Sequence, residues 1–187
     1  MTVAEPSVSI NSLFDFPVYR AIVMPYRYRV NAPRDLVWDQ LINLGQIYTQ
    51  TSPAHLFLRV RGGGPLSAES VIDCEENVDG EHVRHVFKMD RFVPGETVAY
   101  TSTDSVTTMP NGQKFKSKVH CSFVLADAEA DSPATDIDFC VIVVLPNRMI
   151  RMIASMLGTE ATWKPHIVEE SLGFARLMDR KFLLQNP

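Results

Sequence analysis

The chain opens on alternating apolar and polar residues and closes on apolar residues at helical spacing. Tyr26, Tyr28 and Val30 alternate with arginines, which predicts a half-buried strand at 20–30. At the other end, apolar residues recur every three or four positions through 166–184. This spacing predicts a closing helix of about five turns.

Shorter helical segments are predicted on either side of the central part of the chain. Pro33 suits the first turn of a helix, and the segment 34–44 that follows has apolar residues at helical spacing. A second short helix is predicted at 47–52. A third, at 147–157, is separated from the closing helix by an interruption at 158–165 that contains glycine and proline.

The middle of the chain predicts a series of strands. Glycine- and proline-containing turns such as Asp79-Gly80 and Pro94-Gly95 separate them. Short links join antiparallel neighbours, whereas parallel strands need long crossovers. We therefore expect an α+β fold, in which a curved antiparallel sheet of about seven strands surrounds the long C-terminal helix and encloses a cavity. The central strands are predicted at 56–60, 67–76, 82–93, 97–107, 115–126 and 135–145.

Composition narrows the class of protein mainly by exclusion. The 187 residues suit one domain, which we place at 20–187 after an N-terminal arm at 1–19. A net charge of −4 disfavours a nucleic-acid surface. No apolar run approaches the roughly 20 residues of a membrane span, and the N-terminus lacks the pattern of a secretory signal. We expect a cytoplasmic protein whose three cysteines are reduced thiols, and we make no prediction of its oligomeric state.

Two segments carry a family resemblance. Residues 28–38 combine a strand end, an Ala-Pro turn and a Val-Trp pair, and residues 87–100 combine a strand, a Pro-Gly turn and a tyrosine-bearing strand. With the glycine loop at 62–64 and the order of elements, they resemble the START-like (SRPBCC) superfamily, which includes polyketide cyclases, pollen-allergen-like proteins and lipid-transfer domains. The resemblance implies a helix-grip fold whose cavity holds a hydrophobic small molecule, with no cofactor.

The strand predicted at 82–93 carries the candidate catalytic residues. Its odd-numbered positions form an apolar inward face that also holds His85 and Arg91. Such residues are costly in apolar surroundings unless they are paired or solvated, so one interpretation is purely structural. In the functional interpretation, His85 moves a proton, Arg91 anchors a carboxylate or carbonyl of the ligand, and Tyr100 supplies a hydroxyl.

Aromatic and methionine side chains are predicted to line a cavity of a few hundred Å³, the usual range for small-ligand sites. The same residues would form the core in any fold. Two tyrosines add hydroxyls, a serine lies on the inner face of the last helix, and the orientation of an aspartate is left open. The predicted ligand-binding residues are Tyr26, Tyr28, Asp73, Phe87, Met89, Phe123, Phe139, Ser171 and Met178.

Several common types of site find no support in the sequence. His82 and His85 lie three residues apart on a predicted strand, so they face opposite sides and cannot chelate one ion together. No His-Glu-x-x-His or paired-cysteine motif is present, and we predict no metal. The glycine loop lacks the Lys-Ser/Thr of a phosphate loop, and no Gly-x-Ser-x-Gly elbow exists.

Three functional hypotheses follow. The leading hypothesis is a cofactor-independent cyclase or isomerase of a polyketide-like or related natural product, which folds its substrate and stabilises an enolate-like charge. The alternative is a non-catalytic carrier or sensor of a lipid or aromatic metabolite. The third is a protein-interaction module with a filled core. The number of ionisable residues that face the cavity distinguishes them, and His85 with Arg91 favours the cyclase.

Overall fold

The computed structural model describes residues 18–129, 133–156 and 158–185, so the predicted arm lies almost entirely outside the described residues. A 3-10 turn at Val18–Arg20 precedes the first strand. The strands are β1 (Ala21–Val30), β2 (His55–Val60), β3 (Val71–Val78), β4 (Glu81–Val93), β5 (Thr97–Thr108), β6 (Lys114–Lys116), β7 (Lys118–Asp127) and β8 (Thr135–Val144). The helices are α1 (Arg34–Ile42), α2 (Leu44–Thr51), α3 (Arg148–Met156) and α4 (Thr159–Gln185).

The described strands form one antiparallel sheet in the order β1-β8-β7-β5-β4-β3-β2, and the short β6 pairs with β5 beside this path. This arrangement confirms the predicted α+β fold with a curved antiparallel sheet and a long closing helix. The strand predicted at 115–126 is divided at Ser117 into β6 and β7. The strand predicted at 67–76 begins only at Val71, because Ser67 and Ser70 form a hydrogen-bonded turn before it.

Helix α4 is longer than the sequence predicts. It begins at Thr159, so Gly158 does separate it from α3, but the interruption predicted at 158–165 does not extend over 159–165. Pro165 lies inside the helix and removes one backbone hydrogen bond there. The first turns are held nonetheless, because Lys164 pairs with Glu160 at 3.0 Å and the Trp163 indole donates a hydrogen bond to Glu81 at 2.9 Å.

Helix α4 packs against β1, β3 and the pair α1–α2, and it closes the inner side of the sheet. Met178 and Phe174 of α4 join the buried core. Gly173 lies against α2 so closely that a β-carbon there would overlap the carbonyl group of Thr51. No helix in the described part of the chain is long and apolar enough to cross a membrane.

A bulge in β4 reverses the face on which its last residues lie. The register with β5 shifts between Met89 and Arg91, so Asp90 is an extra residue that opposes no partner of its own. Beyond the bulge Phe92 turns inward and packs on Trp38 at 5.3 Å between ring centroids, whereas Arg91 is exposed. The predicted inward orientation of Arg91 is therefore wrong, because strict alternation fails at a bulge.

Candidate functional site

A cavity of about 140 Å³ lies between the inner face of the sheet and helices α3 and α4. It is smaller than the few hundred Å³ that the sequence predicts. Strands β7 and β8 supply one side of it, which we term the apolar wall. The apolar wall consists of Val119, Cys121, Phe139, Val141 and Val143.

The opposite side of the cavity is polar, and we term it the polar wall. Its side chains come from α2, β3, β4 and α4, and those from β3 lie on the inner face with Ile72. The polar wall consists of Tyr48, Cys74, Glu76, His85, His166 and Glu170. Most of the ionisable groups that line the cavity thus lie on one side of it.

Glu76 is the centre of the polar wall. The Tyr48 hydroxyl donates a hydrogen bond to Glu76 Oε1, and the Cys74 thiol lies 3.2 Å from the Tyr48 hydroxyl and 3.5 Å from Glu76 Oε1. On the other side, His166 Nε2 lies 3.6 Å from Glu76 Oε2. One carboxylate therefore holds groups from α2, β3 and α4 together.

The pKa shifts of Glu76 and His166 both favour the charged form of each residue. Burial by itself raises the pKa of Glu76, but His166, His55 and His85 more than offset it, so the pKa lies well below its usual range. Burial by itself lowers the pKa of His166, but Glu76 and Glu170 reverse this and the net pKa is raised. Both shifts favour a charged pair.

Glu170 and His85 are shifted toward their neutral forms. Burial raises the pKa of Glu170, and the nearby Glu76 carboxylate raises it further. Burial lowers the pKa of His85, and Glu76 offsets this only in part. The polar wall thus places an ionised carboxylate near a carboxyl that favours its protonated form, a division that is typical of acid–base sites.

Two of the three predicted catalytic residues line the cavity. The rings of His85 and Tyr100 both pack on the Phe87 ring, at centroid distances of 4.8 and 4.9 Å from it. Arg91 is exposed and does not line it. Burial raises the pKa of Tyr100 well above its usual value, so its hydroxyl keeps its proton near neutral pH.

The predicted ligand-binding residues divide between the cavity and the surrounding core. Phe87 and Phe139 line the main cavity, while Tyr28, Phe123 and Ser171 line, with Phe139, a second space of only about 10 Å³. The other three apolar or aromatic candidates belong to the core or pack against it and line neither space. These are Tyr26, Met89 and Met178.

Asp73, whose orientation the sequence leaves open, lies on the face of the sheet opposite to the cavity. Its carboxylate binds Arg61 at 2.7 Å and lies 3.7 Å from Arg59. The hydrogen bond from Arg61 holds the pKa of Asp73 below its ordinary value. This aspartate therefore belongs to an ion pair on the outer surface and does not contact the cavity.

Most residues of the polar wall are not among those predicted from the sequence. A signal existed for Cys74 and Glu76, because they follow Ile72 at intervals of two and so share its inward face. His166 and Glu170 also share a helix face at a spacing of four. Tyr48 gave no comparable signal, since its position opposite Glu76 depends on how α2 packs against the sheet.

Neither a protein-family profile nor a curated protein sequence matches the chain. Solved structures do resemble it. The Zhui aromatase/cyclase from Streptomyces sp. R1128 has a TM-score of 0.65 at 15% identity, over 86% of this chain and 95% of its own. Ginseng major latex-like protein 151 from Panax ginseng has a TM-score of 0.58 at 10% identity, over 88% of this chain and 99% of its own.

The chain has the helix-grip fold. A third similar structure, DynU16 from the dynemicin biosynthetic locus, has a TM-score of 0.53 at 16% identity, over 84% of this chain and 47% of its own. These neighbours are START-like helix-grip proteins, so the resemblance predicted from the sequence is confirmed at the level of the fold. At such low identity the likeness carries no residue-level assignment.

Proposed function

We propose that the protein binds a hydrophobic, carbonyl-bearing small molecule in its cavity and catalyses a cofactor-independent cyclisation or isomerisation of it. A polyketide-like natural product is the substrate class we favour. The helix-grip fold and the largely apolar cavity support the binding step. The similarity to an aromatase/cyclase supports the class of reaction.

The observation that carries the catalytic part of the proposal is the placement of His85. The ring is buried and lines the cavity, and within the described residues its Nδ1 has no hydrogen-bond partner. Buried polar atoms are nearly always paired, so an unpartnered imidazole nitrogen at a cavity requires an explanation. A neutral imidazole is also the form that can accept a proton.

The proposed reaction needs only proton transfers and one new carbon–carbon bond. His85 takes a proton from a carbon next to a carbonyl, and the Tyr100 hydroxyl donates a hydrogen bond to the enolate oxygen that forms. The enolate carbon attacks a second carbonyl carbon of the same folded chain, whose C=O electron pair moves onto oxygen. That oxygen then takes the proton back from His85. The apolar wall holds the two reacting carbons close, which replaces an encounter in solution.

A non-catalytic carrier or sensor of a lipid or aromatic metabolite is the second candidate. Its support is the apolar character of most of the cavity lining, which would bind such a molecule without chemistry. The third hypothesis, an interaction module, requires a filled core, and the cavity counts against it.

The decisive experiment compares three single variants in ligand binding and in turnover of poly-β-carbonyl substrates. Turnover is measured by chromatography coupled to mass spectrometry. His85→Phe keeps the size and the packing of the ring but removes the base, and Tyr100→Phe removes only the hydroxyl. We expect His85→Phe to lower kcat by about 10²- to 10⁴-fold, the usual contribution of a general base, with a smaller loss for Tyr100→Phe.

Arg91→Met is the matched control on the same strand as His85, because Arg91 is exposed on the outer side. It should leave both binding and turnover unchanged. Wild-type binding without any turnover, or full turnover in His85→Phe, would contradict the catalytic proposal. The first of these results would favour the carrier.

A further inference from the structure

His55, His166 and Glu170 converge between the start of β2 and the first half of α4. Each offers one ligand atom, and these atoms lie within 4.8 Å of one another. His55 and His166 are only 4% and 6% exposed. The proposed reaction at His85 uses none of these three residues.

The hydrogen bonds of His55 fix which of its ring nitrogens is available. Nδ1 lies 2.9 Å from the carbonyl oxygen of Tyr48, which can only accept, so Nδ1 carries the hydrogen. The lone pair of the neutral ring is then at Nε2, 3.9 Å from Glu170 Oε2. Metal-binding histidines characteristically donate one ring N–H to a carbonyl or carboxylate and leave the other nitrogen for the ion.

His166 and Glu170 reach the same point from α4. They are four residues apart, so they lie on one face of the helix. In the part of the chain that the structure describes, three imidazole nitrogens here have no hydrogen-bond partner. They are both nitrogens of His166 and Nε2 of His55. The nearest acidic oxygens to His166 are those of Glu76 at 3.6 Å and Glu169 at 3.9 Å, both beyond hydrogen-bond distance.

Unpartnered buried nitrogens that converge with a carboxylate need a common explanation. We propose that His55 Nε2, His166 and Glu170 bind a divalent transition metal ion, with Zn²⁺ as the first choice. The ion would replace the proton that Glu76 stabilises on His166. Two imidazoles and one carboxylate are a donor set that zinc uses in catalytic sites, where a fourth position stays open. The expectation of no metal rests on local sequence motifs, whereas His55 lies more than 100 positions before His166 and Glu170.

The geometry requires only small movements. Nitrogen and oxygen ligands of tetrahedral zinc lie at about 2.0–2.1 Å from the ion, and hence roughly 3.4 Å from one another. The 3.9 Å between His55 Nε2 and Glu170 Oε2 is already close to this separation. His166 and Glu170 line the cavity whereas His55 does not, so the open position would face the ligand. There the ion would orient a ligand oxygen, while the proton transfers proposed at His85 would need no metal.

The test uses the full chain, stripped of metal by a chelator and titrated with Zn²⁺ in a calorimeter and with Co²⁺ by visible absorption. We expect saturable binding of one ion per chain and a rise in the melting temperature of the zinc-loaded protein. His55→Ala and Glu170→Gln should each weaken binding by at least about 100-fold, because even the loss of an outer-shell partner costs 10–100-fold.

His82→Ala is the matched control, since His82 lies 3.3 Å from Glu75, away from this cluster, and should bind the ion as the wild type does. If a variant does not fold, the ring ¹⁵N resonances of the wild-type histidines give the same answer. Zinc should shift two rings, those of His55 and His166. An absence of saturable binding, or equal binding by the wild type and both ligand variants, would overturn the proposal.

Discussion

The two walls of the cavity are built in different ways. The apolar wall comes from the neighbouring strands β7 and β8, where every second residue faces inward. The polar wall comes from α2, β3, β4 and α4, each of which contributes one or two side chains. The apolar wall would pack against any hydrophobic ligand. The polar wall, in contrast, would interact only with polar groups of a ligand.

The two walls differ in how burial of their side chains affects the stability of the fold. Apolar side chains on β7 and β8 gain stability from burial. A largely buried carboxylate such as that of Glu76 loses hydration and is tolerated only because Tyr48, Cys74 and His166 surround it. Groups that are costly to bury, placed at a cavity, are more typical of a site that acts on a ligand than of a core.

The largest expected effect comes from removing the centre of the polar wall. Glu76→Leu keeps much of the side-chain volume but leaves His166 without its charged partner. We expect the free energy of unfolding to fall by about 3–5 kcal/mol, the cost of breaking a buried pair from one side, as measured by urea denaturation. Glu75→Leu is the control, because Glu75 is on the opposite face, where it pairs with His82. A Glu76→Leu variant as stable as the control would show that the pair contributes nothing.

A smaller loss is expected from separating the elements that form the polar wall. In Gly173→Ala the new β-carbon would lie 2.7 Å from the carbonyl carbon of Thr51, so α4 must move away from α2. Overpacking of this kind costs about 1–3 kcal/mol, and we expect the upper part of this range. Leu172→Ala, at a neighbouring exposed position, should change stability by less than about 0.5 kcal/mol. Equal stability of the two variants would contradict the close packing of α2 and α4.

The two walls also differ in how far the sequence predicts them. Alternation along β7 and β8 places Phe123, Phe139 and their neighbours inside, and turn residues predict most strand boundaries. Periodicity cannot reveal an extra residue such as Asp90, so alternation alone predicts the wrong face for Arg91. The polar wall depends on contacts such as that between Tyr48 and Glu76, which only the packing of α2 against the sheet brings together.

The smallest effect is expected for charges that remain in contact with water. Asp136 on β8 binds Arg29 of β1 at 2.8 Å on the outer face, and this bond holds the pKa of Asp136 below its ordinary value. A depressed carboxyl pKa stabilises the fold above the unfolded-state pKa of about 3.9, and this contribution is lost as the pH falls through the lower pKa of the folded state. Asp136→Asn should therefore lower stability slightly at pH 7 and not at about pH 2. A loss at pH 7 as large as that of Glu76→Leu would contradict the distinction between the polar wall and the outer face.

The central claim is that the inner face of the sheet encloses a binding cavity for a hydrophobic molecule. One measurement tests it most directly: the fluorescence titration of an apolar probe, 8-anilinonaphthalene-1-sulfonate, into two variants of β7. Val119 lines the cavity, whereas Val124 of the same strand is exposed. We predict that Val119→Phe, which fills the cavity, weakens probe binding at least about tenfold, a change of about 1.4 kcal/mol, while Val124→Phe binds as the wild type does. Equal probe binding by both variants, with each folded, would show that the probe does not enter this cavity and would contradict the claim.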